Sequence, residues 1–122
     1  MESKVHILVV DRNRHNLDLL AQFLTRRGYA PITVTSLGEF DQALHRVDSI
    51  ALALVDLAGF DPRIWQRCDQ LRQADVPFLM LSSASRSRAI QHAGAAHGAQ
   101  GVLVKPLTSE SLLDLLRGLL PA

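Results

Sequence analysis

The chain has 122 residues, 48% hydrophobic and 20% charged, with a formal net charge of +1; that suits one domain burying its own core and excludes a disordered chain. A single cysteine, Cys68, excludes an internal disulfide framework and a cysteine-built zinc cage, and no apolar run reaches the roughly 18 residues of a membrane helix. Near-neutral charge argues against a nucleic-acid-binding face, and Met1-Glu2-Ser3-Lys4 enters a strand-like run with no small-residue cleavage site, which predicts a cytoplasmic protein without a signal peptide.

Val5–Val10 is apolar at nearly every position, as suits a strand covered on both faces in a parallel sheet. Leu17, Leu20, Ala21 and Leu24 follow the spacing of one helix face, and Gly28 stands where that helix would stop. Ile32–Thr35 is a weaker strand pattern. Ser36 with Glu39 reads as a capping box for a second helix, whose apolar face is Phe40, Ala43, Leu44 and Val47. Ile50–Val55 is again continuously apolar. Asp61 as N-cap and Pro62 as first helical residue would open a third helix, marked by Ile64, Cys68 and Leu71. Phe78–Leu81 predicts a fourth strand, and Ala89, Ile90 and Ala93 a fourth helix weakened by Gly94. Val102–Val104 predicts a fifth strand. Thr108 or Ser109 caps a last helix along Leu112, Leu115, Leu116 and Leu119, closed by Pro121.

Strand and helix alternate five times, which predicts an α/β fold: a doubly wound, five-stranded parallel sheet with helices on both faces, forming one domain over residues 1–122. The sequence ends on the last helix, so the expectation is that no output domain is attached. In such sheets ligands bind outside the carboxyl ends of the strands, where strand order reverses. Asp11, Asp56, Ser82 and Lys105 stand at those ends, the lysine followed by Pro106. Two carboxylates, a hydroxyl and an ammonium on one rim suit phosphoryl transfer. A carboxylate can attack phosphorus to form an acyl phosphate, while a cation and hydrogen-bond donors stabilise the spreading charge.

Four stretches carry a family resemblance: Ile7-Leu8-Val9-Val10-Asp11, Leu54-Val55-Asp56-Leu57, Pro77-Phe78-Leu79-Met80-Leu81-Ser82 and Val104-Lys105-Pro106-Leu107. Each is weak alone, but in this order over five βα units the chain resembles the CheY-like receiver domain of two-component response regulators along its whole length. The resemblance implies a (βα)5 flavodoxin-like fold and a phosphorelay protein rather than a turnover enzyme, at most phosphorylating and dephosphorylating itself. It makes Asp56 the phosphoacceptor, Ser82 the switch hydroxyl and Lys105 the phosphoryl contact, with Pro106 at the family's cis proline. It implies Mg2+ held by Asp11, Asp56 and the Ala58 backbone. It also implies a histidine kinase or phosphotransfer protein as donor, and a downstream effector protein or domain. The family signals through its fourth helix, fifth strand and fifth helix, which would carry Arg86, Ile90, His97, Val102 and residues 109–119. Exposed apolar residues on that face would suit docking or a homodimer.

Three departures bear on this. The family usually has a second acidic residue after Asp11; Arg12 stands there. A guanidinium beside the two aspartates would weaken Mg2+ binding and could pair with Asp56. The Met-Pro turn after the phosphoacceptor is replaced by Leu57-Ala58-Gly59-Phe60, and the aromatic switch position is Val102. A phosphorylation-independent pseudo-receiver acting as a docking module is therefore the alternative. Flavodoxin-like and haloacid-dehalogenase-like enzymes fit less well, because Asp11-Arg12-Asn13 is neither a glycine- and hydroxyl-rich phosphate loop nor an aspartate pair two apart.

The remaining candidates have bland readings. His6, His15, His45, His92 and His97 lack metal-ligand spacing and read as solvated surface histidines. Cys68 reads as a small core residue, and Trp65, one step off its stripe, as partly exposed.

Overall fold

The computed structural model describes residues 4–83, 87–104 and 108–120. Strands β1 (His6–Val10), β2 (Ala30–Val34), β3 (Ile50–Asp56), β4 (Phe78–Ser82) and β5 (Gly101–Val104) alternate with helices α1 (Arg14–Arg26), α2 (Leu37–Leu44), α3 (Ile64–Gln73), α4 (Ser87–Ala96) and α5 (Ser109–Leu119). The five strands form one parallel sheet in the order β2-β1-β3-β4-β5, as the alternation predicts. Strand order reverses between β1 and β3.

Alternating side chains divide the core in two. Leu8, Val10, Ala53, Val55, Phe78 and Met80 face α2 and α3, packing with Phe40, Ile64, Cys68 and Leu71, while Ile90 of α4 packs at the margin. Ile7, Val9, Leu52, Leu54, Leu79 and Leu81 face α1 and α5, packing with Leu17, Leu24, Leu112 and Leu116. This two-sided burial explains why β1, β3 and β4 read as unbroken apolar runs.

Several helix signals sit as expected. Gly28, at φ +88°, takes the left-handed turn that ends α1. Ser36 caps α2 by accepting from the Glu39 N–H (3.1 Å), but Glu39 reaches back one residue beyond the cap, to the Thr35 N–H (2.7 Å) and hydroxyl (2.6 Å). These two donors, the hydroxyl first, hold the Glu39 carboxyl below its ordinary range. Thr108 caps α5.

Other boundaries shift. α2 ends at Leu44, and Val47 begins a short 3₁₀ turn leading directly into β3. α3 begins at Ile64 rather than after Asp61, because Asp61 Oδ1 accepts the Arg63 N–H (2.8 Å) and holds a tight turn ahead of the helix. β2 is Ala30–Val34, two residues earlier than its pattern at the start, with Pro31 on an edge strand where one lost donor is tolerated. α2 is tied to α3 by a bidentate Asp41–Arg67 pair at 2.9 and 3.0 Å.

His97 departs from the solvated reading. Its Nδ1 lies 2.7 Å from Asp69 Oδ1, and its ring stacks on Trp65 with centroids 4.6 Å apart. It therefore closes the seam between α3 and the end of α4. An aromatic face and a carboxylate on α3 offer it more than water does.

Candidate functional site

Parallel register builds the rim. Val10 pairs with Val55 and Asp56 with Leu81, so Asp11, Asp56 and Ser82 end three neighbouring strands, which lie roughly 5 Å apart. Asp11 and Asp56 flank the point where strand order reverses, the position at which α/β sheets bind ligands. All three side chains are buried, at 4%, 3% and 4% exposure.

Carboxylates so placed need partners. Asp11 Oδ1 accepts the N–H of Asn13 (2.8 Å), and Asn13 in turn caps α1 by accepting from the Asn16 N–H (3.0 Å). Asp56 Oδ1 accepts the N–H of Ala58 (2.9 Å). Each aspartate thus orders the loop that follows its own strand. The Ser82 hydroxyl donates to the Ser83 carbonyl (3.0 Å). Strand register favours Ser82 over Ser83 for the rim, and β4 indeed runs through a buried Ser82 while Ser83 is exposed.

Arg12 behaves otherwise than its sequence position suggests. Among the described residues it forms no ion pair with Asp11 or Asp56. Its exposed side chain instead crosses Gly59, and its guanidinium lies over the Phe60 ring, 5.7 Å from the centroid. A cation–π contact with the loop after β3 competes successfully for it. Gly59 and Phe60 are therefore rim residues that motif comparison alone overlooks; the signal for them is a glycine–aromatic pair three and four residues past Asp56. Lys105, Pro106 and Arg86 lie outside the described residues.

The donor set can be tested against Mg2+. That ion is satisfied by one or two carboxylates when it keeps several waters and meets phosphate oxygens. Asp11, Asp56 and the Ala58 carbonyl meet this minimum. No group of three His, Cys, Asp or Glu side chains gathers among the described residues, so an ion here would take its remaining ligands from water and phosphate oxygens. On the face formed by α4, β5 and α5, Ile90 and Val102 are half-buried against the core and Val104 is 42% exposed, whereas His97 is turned towards α3. No helix is long and apolar enough to cross a membrane among the described residues.

A parallel sheet in this order, with paired aspartates at its reversal point and a serine on the next strand, defines the class: a CheY-like member of the flavodoxin-like folds. No family model matches the chain. It is 34% identical over 119 residues to the transcriptional regulatory protein GltR of Pseudomonas aeruginosa, covering 93% of this chain and 48% of that protein. It thus spans about half the length of this curated relative. Among solved structures it is similar to the chemotaxis protein CheY4 of Vibrio cholerae, at 25% identity and a TM-score of 0.78, covering 97% of this chain and 100% of that one. It also superposes on a response regulator receiver domain protein of Clostridium thermocellum, at 18% identity and a TM-score of 0.81, covering 93% and 92% of the two chains. The chain is a receiver domain of the two-component response regulator family.

Proposed function

We propose that this receiver domain accepts a phosphoryl group on Asp56 and passes the signal on through protein contacts. The observation that carries the reading is the convergence of buried Asp11, Asp56 and Ser82 on neighbouring strand ends at the sheet's reversal point. Asp56 is the nucleophile: a carboxylate oxygen attacks phosphorus, and the Ala58 N–H fixes its orientation. The Ser82 hydroxyl leaves the Ser83 carbonyl and donates to a phosphoryl oxygen. Lys105, the residue after β5 in the sequence, supplies positive charge in this reading. Asp11, Asp56 and the Ala58 carbonyl would hold Mg2+, which when bound neutralises charge on the phosphoryl oxygens.

The phosphoryl donor in this reading is a histidine kinase or phosphotransfer protein. The recipient is an effector protein or domain that docks on α4, β5 and α5, the face a homodimer would also use. In this reading the domain works as a cytoplasmic relay with no direct contact to nucleic acid or membrane. Arg12 at the second acidic position favours one other reading, a docking module that works without phosphorylation.

Beryllofluoride, which mimics a phosphoryl group on a carboxylate, separates the two. Its titration in the presence of Mg2+ is expected to move the amide resonances of Asp11, Asp56, Ala58 and Ser82, and Asp56→Asn is expected to abolish those changes. A flat titration of the folded wild-type chain selects the docking module.

A further inference from the structure

We propose that Arg12 recognises the phosphoryl group. Once Asp56 is phosphorylated, its guanidinium leaves Phe60 for the phosphoryl oxygens and supplies charge that a tightly held divalent ion would otherwise provide. The inference rests on the phosphoacceptor reading of Asp56 and adds to it a recognition residue and a route for the signal.

Three observations carry it. Arg12 directly follows the buried Asp11, so its backbone is fixed at the rim while its side chain stays exposed. Its side chain runs along a lane in the loop that also carries Asp56: Gly59 is left-handed at φ +79°, and a Cβ there would come within 3.3 Å of Arg12 Cδ. A side chain at that position would obstruct the lane as well as strain the turn. Finally, the guanidinium is parked on the Phe60 ring at 5.7 Å and has no carboxylate partner among the described residues. An exposed cation–π contact is a weak hold, and moving off it breaks no ion pair.

Phosphorylation changes the balance. It adds a doubly charged group to a rim that already buries the Asp11 carboxylate, and a guanidinium pairs with phosphoryl oxygens in a bidentate, charge-assisted way. Arg12 then swaps a weak partner for a strong one. Phe60, which packs at the margin of the α2–α3 core, loses its cation and is released to repack. The charge state of Asp56 is thereby read out as a change in the β3–α3 loop.

The reaction to follow is phosphoryl transfer from phosphoramidate. An Asp56 carboxylate oxygen bonds to phosphorus, the P–N bond breaks, and its electron pair leaves with nitrogen, which takes a proton from solvent and departs as ammonia. Arg12 neither gains nor loses a proton.

The test treats the full chain with phosphoramidate in EDTA and, in parallel, in Mg2+. It measures uptake by intact mass, and the Arg12 Nε and Phe60 ring resonances by NMR. Wild type is expected to gain one phosphoryl group in both arms, with both resonances shifting. Arg12→Gln is expected to slow uptake in EDTA by roughly ten-fold or more, much less in Mg2+, with Arg12→Lys restoring part of it. Uptake confined to the Mg2+ arm, or an Arg12→Gln rate equal to wild type in EDTA, overturns the proposal while leaving Asp56 as phosphoacceptor. No uptake in either arm overturns both.

Discussion

The rim at the carboxyl ends of the strands and the seam between α3 and α4 both place polar side chains against the core, but they satisfy them in opposite ways. On the rim, Asp11, Asp56 and Ser82 are almost fully buried, and among the described residues each bonds a main-chain group of the loop that follows it. On the seam, Asp69 and His97 are each one-third exposed and bind one another, with Trp65 stacked on the imidazole. Side chains that pair among themselves hold two elements together. Carboxylates braced by their own loops are oriented at the rim, which in the proposed function serves an incoming phosphoryl group. Burying such groups is costly unless they are hydrogen-bonded or paired, and function is a common reason for keeping them.

Substitutions that exchange the two behaviours sharpen this contrast. The largest effect is expected from Asp56→Asn, which removes the nucleophile while keeping the shape and the Ala58 contact: phosphoryl uptake falls to zero by intact mass, and the thermal midpoint moves by only a few degrees, on the order of 1 kcal/mol. Next is Cys68, on the buried face of α3. Burial pushes its thiol up to about 12, so native alkylation near neutral pH is expected to run roughly a hundred-fold or more slower than in urea. Comparable rates would mean that α3 opens readily.

Asp69→Asn tests the seam. It is expected to cost about 1 kcal/mol, the usual worth of a partly exposed hydrogen bond or ion pair, and to change Trp65 fluorescence while leaving phosphoryl uptake intact. A loss of uptake would join the two regions functionally. The smallest effect concerns Glu39, whose carboxyl the Thr35 hydroxyl and N–H hold below its ordinary value. A lowered folded pKa stabilises the fold fully above the unfolded value of 4.5 and loses that contribution as pH falls through the folded value. The stability gap between wild type and Glu39→Gln, followed by urea midpoints, is therefore expected to close as the solution is acidified below that range.

Much of the fold was legible because β1, β3 and β4 are buried on both faces and so are apolar without interruption. The edge strand β2 was harder to bound. Its residues are mostly half-buried, and Pro31 obscures its start. The start of α3 was misplaced because Asp61 serves a preceding turn, which uses the same residue type as a helix cap. Asp11, Asp56 and Ser82 were legible as strand-end polar residues, and register then brings them together. The seam was not legible: His97 and Asp69 are 28 residues apart, beyond any local periodicity. Nor was the Arg12–Phe60 contact, which joins two separate loops. From sequence Arg12 pointed to an ion pair with Asp56, and only the loop geometry shows a ring taking it instead.

The most direct test of the central claim is to locate the phosphoryl group itself. After exposure to phosphoramidate, the chain would be reduced with borohydride, which converts an acyl phosphate into homoserine, and then mapped by peptide mass spectrometry. The account predicts homoserine at position 56 and at no other aspartate, with none in Asp56→Asn. Reduction at Asp11 or another carboxylate, or no reduction in a folded chain, would contradict it.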